Sequence, residues 1–131
     1  MDQAANNQIM VIGGDSHFCY LMQRYASTSA HPIIFASLDG DVLAQARCER
    51  PAAIVLVVDP PEVIGWQTLQ LLKTDQDTSK IPVIVCSWLN EEERSLKSGA
   101  DFYLHMPILY ADFEVALEAT LLKEQNEKSY E

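Results

Sequence analysis

The chain has no cluster of Lys or Arg: its 9 basic residues are scattered among 19 acidic ones, for a formal charge of −10. A phosphate-binding surface needs clustered cations, so direct DNA or RNA binding is not expected. No apolar run approaches the roughly 18 residues that a membrane span requires. Residues 1–8 carry Asp2 but no Lys or Arg, the reverse of a secretory leader. A reducing cytoplasm is the expected compartment. Cys19, Cys48 and Cys86 are odd in number, have no Cys-x-x-Cys spacing and each sit in an apolar stretch, so all three are expected to be inert core thiols. His17 and His31 have no Cys or carboxylate at ligand spacing, and no metal is expected there. Neither a Ser/His/Asp set nor paired carboxylates emerge at meaningful spacing, and a GxGxxG run and a P-loop Lys are missing. The chain is therefore expected to be neither an enzyme nor the holder of a cofactor.

What is present is an alternation: five short apolar runs with five helix-like stretches between and after them. That is the pattern of an α/β domain whose parallel sheet is covered on both faces. The first run, Ile9, Met10, Val11 and Ile12, closes on Gly13 and Gly14, after which Asp15 or Ser16 caps a helix with Phe18, Leu21, Met22 and Tyr25 at helical spacing. A small polar loop over residues 27–30 leads to a strand with Ile33, Ile34 and Phe35; Asp39 and Gly40 then open a helix through Val42, Leu43 and Ala46. Residues 52–58 form the most apolar strand and end in Asp59-Pro60-Pro61, followed by a helix carrying Trp66, Leu69 and Leu72. A fourth strand spans 81–86. The fourth helix, near 90–98, has Asn90 as candidate cap, Gly99 as stop and Leu96 as nearly its only large apolar residue, which predicts weak burial and mobility. Phe102, Tyr103 and Leu104 make a short fifth strand, and Leu109, Phe113, Ala116, Leu117 and Leu121 mark the last helix. The charged tail from Lys123 is expected to fray. The expected organisation is an extension over residues 1–8, one domain over 9–122 and a tail over 123–131.

Residues 9–16, 51–65 and 81–107, taken in order, resemble the receiver domains of bacterial two-component response regulators. The most specific stretch is the last, where Ile81-Pro82-Val83-Ile84-Val85 leads to Ser87, and Gly99-Ala100-Asp101-Phe102-Tyr103 leads to Pro107. In receivers this spacing joins a hydroxyl residue, a Gly-Ala-Asp turn, an aromatic and a Lys-Pro pair. The resemblance implies a doubly wound, flavodoxin-like fold of five strands and five helices, strand order 2-1-3-4-5, with its site at the carboxyl ends of the strands.

It also marks what has changed. Receivers place acidic residues after the first strand to hold a divalent ion, an Asp at the end of the third as phosphoacceptor, and a Lys before the proline of the fifth. Those places read Gly13 and Gly14, Val57 and Met106 here, with Asp15 the only acid left after the first strand. Pro51, Pro61 and Gly65 set the register that puts Val57 at the acceptor place; a two-residue shift would put Asp59 there instead with strand facing kept. Trp88 stands where receivers keep a small residue, and fills or roofs the vacated pocket. Ser87 and Tyr103 occupy the places of the switch pair.

The implied function is a signalling module that binds a protein partner or itself without phosphorylation. It would do so through the face of the fourth helix, fifth strand and fifth helix, with Tyr103 and His105 as interface candidates and no contact with nucleic acid or membrane. Two other readings stay open: small-molecule or anion binding at the carboxyl edge of the sheet, where Gly13-Gly14 and a helix N-terminus present amides, and an ordinary receiver phosphorylated on Asp59.

Overall fold

The structure is a computed structural model that describes residues 7–29, 31–38, 40–58 and 63–129, with side chains through Thr120. In chain order the elements are β1 (Ile9–Ile12), α1 (Ser16–Ser29), β2 (Ile33–Ala36), α2 (Val42–Glu49), β3 (Ala53–Val57), α3 (Ile64–Thr74), β4 (Val83–Ser87), α4 (Glu92–Lys97), β5 (Phe102–His105) and α5 (Tyr110–Ser129). They form one five-stranded sheet in the order β2-β1-β3-β4-β5, every pair parallel. The expected doubly wound fold is the observed one.

Every residue of β1, β3 and β4 is buried, and alternation along each strand sends neighbours to opposite faces. On one face Val11, Val55 and Cys86 meet Phe18 and Met22 of α1 and Phe113 of α5. On the other, Ile12, Leu56 and Val85 meet Val42 of α2 and Leu69 and Leu72 of α3. Each large aliphatic or aromatic side chain so buried stabilises the fold by about 1.5–3 kcal/mol. Gly65 lets α3 close on β3: a Cβ there would lie 2.9 Å from Val58 Cγ1.

Several boundaries differ from those read in the sequence. Helix α1 continues through Ser29 instead of ending in a loop at Ser27, because its small polar side chains find partners: Thr28 Oγ1 donates to Arg24 O at 3.2 Å, and Ser29 Oγ pairs with Tyr110 Oη at 3.2 Å. Helix α2 is capped by Asp41, whose Oδ1 accepts from Ala44 N at 3.1 Å; Asp39 lies outside the described residues. β4 begins at Val83, two residues later than expected. Glu91, not Asn90, holds the N-terminal position of α4, and no side chain caps it. Leu109 precedes α5 and is 63% exposed, so it is not part of the buried stripe, and the Leu121 side chain lies outside the described residues. The charged segment expected to fray is helical through Ser129, so α5 runs across the expected boundary after residue 122. Cys48 is exposed rather than in the core: Val42 and Ala46 form the buried stripe of α2, and Cys48 falls off it.

The Gly-Ala-Asp turn is pinned by one half-buried carboxylate. Asp101 Oδ2 accepts Val83 N at 2.9 Å and Lys73 Nζ at 3.0 Å, and Lys73 also donates to Ile81 O at 3.0 Å. This links α3, the start of β4 and the turn into β5. Asp101→Ala leaves a strand amide and an ammonium without that acceptor and should cost about 1–3 kcal/mol in urea unfolding. Lys97→Ala, which removes an exposed i,i+4 pair with Glu93, should change stability by less than about 0.5 kcal/mol.

Candidate functional site

The strand order reverses between β1 and β3, and in doubly wound sheets ligands sit at the carboxyl ends of the strands beside such a point. Here β1 runs into Gly13 and Gly14, both with positive φ (+85° and +87°). A Cβ on Gly14 would lie 2.5 Å from the Phe18 ring, and one on Gly13 would lie 3.2 Å from Leu38 Cδ1. The two glycines are thus what the backbone and its neighbours require. The next residue, Asp15, caps α1 by accepting Phe18 N on Oδ1 at 2.8 Å.

β3 ends on Val57 and β5 leads into Met106, both buried. Val57 and Met106 line one cavity of about 180 Å³ at this edge of the sheet. Its floor continues with Phe18 and Ile108, also buried, and Leu21 adds a partly buried wall. The mouth is formed by exposed residues: Gly14, Asp15, His17, Pro107 and Trp88, the last 58% exposed. Trp88 therefore borders the cavity rather than filling it. Among the described residues no Lys or Arg lines this space, and Asp15 is its only carboxylate. Asp59 lies outside the described residues.

Such a donor set is poor for a divalent ion. Magnesium wants near-octahedral oxygen ligation with one or two carboxylates, and the single one here also caps a helix. Two amides beside it are engaged within the fold: Gly13 N donates to Ala36 O (3.2 Å) and Phe18 N to Asp15. Of the nearby thiols, burial pushes Cys86 far above its ordinary value, and burial followed by the Asp15 charge pushes Cys19 up.

Ser87 and Tyr103 are brought together through the β4–α4 loop. Ser87 is fully buried, and its Oγ accepts Leu89 N at 3.1 Å. Tyr103 Oη donates to Leu89 O and accepts Glu91 N at 3.2 Å. A hydroxyl at each end thus holds the same short loop, with Trp88 between them. His105 pairs in register with Ser87 and is exposed. Beside them Leu89 (51%) and Leu96 (46%) leave apolar surface uncovered. Phe18, Leu21 and Ile108 were not anticipated in the cavity; two are helix positions already explained by the core, which hid their second contact.

No family model matches the chain. Among curated proteins it is similar to the protein PilH of Pseudomonas aeruginosa, 28% identical over 104 residues covering 77% of this chain and 86% of PilH. It is also similar to the polar-differentiation response regulator DivK of Brucella anthropi, 31% identical over 84 residues covering 62% of this chain and 68% of DivK. It spans about half the length of several transcriptional regulatory proteins that it also matches. Among solved structures, the CheY-like response regulator receiver domain protein of Methanospirillum hungatei superposes with a TM-score of 0.81 at 17% identity, covering 94% of this chain and 99% of that one.

The glycine turn gives a direct check. Gly14→Ala combines a left-handed backbone with a collision against Phe18 and should lower stability by about 1–3 kcal/mol. Gly40→Ala, whose added Cβ would meet nothing closer than Ser37 O at 3.5 Å, should cost clearly less in the same thermal or urea melt.

Proposed function

The chain belongs to the receiver-domain family of response regulators, and from that membership we propose that it works as a phosphorylation-independent interaction module. The observation that carries this reading is the pairing of Val57 and Met106 in one apolar cavity, at the positions where the family resemblance calls for an acceptor carboxylate and a cation. A phosphoryl group arriving there meets no positive charge among the described residues, and burying its charge in an apolar site without one is costly. Gly13 and Gly14 add to this, since neither carries a carboxylate that would hold a metal ion.

The proposed working surface is α4, β5 and α5. It presents Tyr103 and His105, and the exposed Leu89 and Leu96 supply the apolar area that an interface core needs. With a net charge of −10, a partner with a basic surface is favoured over nucleic acid. No enzymatic step is assigned to the chain. Among the described residues no helix is long and apolar enough to cross a membrane.

Intact mass after incubation with Mg²⁺ and acetyl phosphate tests the reading: the expected mass is that of the untreated chain. A hydroxylamine-sensitive phosphoryl adduct would overturn it and direct attention to Asp59. Val57→Asp alone should also stay unmodified, because no cation or acidic pair accompanies it. A lone carboxyl at a position only 2% exposed should cost about 2–3 kcal/mol of stability in denaturant.

A further inference from the structure

We propose that the cavity at the carboxyl edge is a ligand site for a small, mostly apolar amine, a single aromatic ring with a short protonated side chain, and that filling it moves Trp88 and the β4–α4 loop. This rests on the preceding reading, since a pocket that takes a phosphoryl group would not be free for such a ligand. The size fits: an apolar cavity of about 150 Å³ accommodates benzene, and this one is about 180 Å³ with an open mouth.

Its floor, Val57, Met106, Phe18 and Ile108, offers a ring only apolar contacts. At the mouth, Trp88 leaves 58% of its surface in water, an aromatic face that a bound ring covers and that attracts a cation. Charge selects among ring-bearing ligands. Asp15 is the sole carboxylate among the described lining residues, which include no Lys or Arg, and the chain as a whole is strongly acidic, so an ammonium is favoured and a carboxylate or phosphate is repelled.

The same site has a route to the proposed working surface. Trp88 lies between Ser87, whose Oγ holds Leu89 N, and Leu89, whose carbonyl holds the Tyr103 hydroxyl. A ring in the cavity with its amine at the mouth contacts Trp88 and bears on that segment, and through it on the Tyr103 and Leu89 surface. The ligand thereby supplies the differential interaction that any two-state switch requires.

The test is a titration of the full chain with 2-phenylethylamine, alongside 2-phenylethanol and 3-phenylpropionate, followed by Trp fluorescence and by amide NMR shifts. Saturable binding is expected, with shifts at Gly14, Trp88, Leu89 and Tyr103. The alcohol should bind about three- to fivefold more weakly, as for loss of one exposed ion pair, and the carboxylate more weakly still. Asp15→Asn keeps the helix cap but removes the charge, and should reduce amine affinity by about the same factor while leaving the alcohol unchanged.

Absence of saturable binding, shifts confined elsewhere, equal affinity of alcohol and amine, or an Asp15→Asn variant that binds the amine unchanged would each overturn the proposal. Failure here with no phosphoryl adduct in the acetyl phosphate experiment leaves the interaction-module reading standing. An adduct removes that reading and this one together.

Discussion

Strand β3 is the constraint on which the rest of the molecule depends. Its five residues, Ala53–Val57, are all buried and alternate into two separate apolar clusters, one closed by α1 and α5 and the other by α2 and α3. Its register is held by ladders on both sides, to β1 and to β4, and by the close fit of Gly65 against Val58. That register carries Val57 to the carboxyl end of the sheet, where it joins Met106 from the end of β5. The apolar character of the core is therefore continuous with the apolar floor of the cavity.

Around that floor, the polar side chains also hold the structure. Asp15 caps α1, the Ser87 hydroxyl holds the loop after β4, and the Tyr103 hydroxyl bridges two backbone groups of the same loop. A conformational change needs a ligand that interacts differently with two states. A site walled by Val57, Met106 and Trp88 offers apolar surface and an aromatic face for such a difference. The edge of the sheet and the β5 surface are mechanically joined through Ser87, Leu89 and Tyr103.

Much of the fold was legible in the sequence because the central strands are unbroken apolar runs, and only a doubly covered sheet uses such runs at that spacing. The strand order came from the resemblance carried by Ser87, the Gly-Ala-Asp turn and Tyr103. Helix ends were less legible. Thr28 and Ser29 read as loop residues until their side chains are seen to bond Arg24 O and Tyr110 Oη, contacts that local sequence does not encode. The exposure of Cys48 likewise depends on helix phase, which a short apolar pattern leaves loosely set, and that of Leu109 on where α5 begins. At the site, the resemblance singles out Val57 and Met106. Their closure into an open-mouthed cavity with Phe18, Leu21 and Ile108 depends on how α1 and the turn into α5 pack, which no spacing rule reports.

The most direct measurement of the central claim is a pair of ¹⁵N–¹H spectra, one of the chain alone and one with Mg²⁺ and beryllofluoride, the mimic of an acyl phosphate. Unchanged resonances for Gly14, Val57, Ser87, Trp88 and Tyr103 are the predicted result. Saturable shifts that run from the sheet edge through Ser87 to Tyr103 would contradict it and return this chain to the phosphorylation-switched receivers.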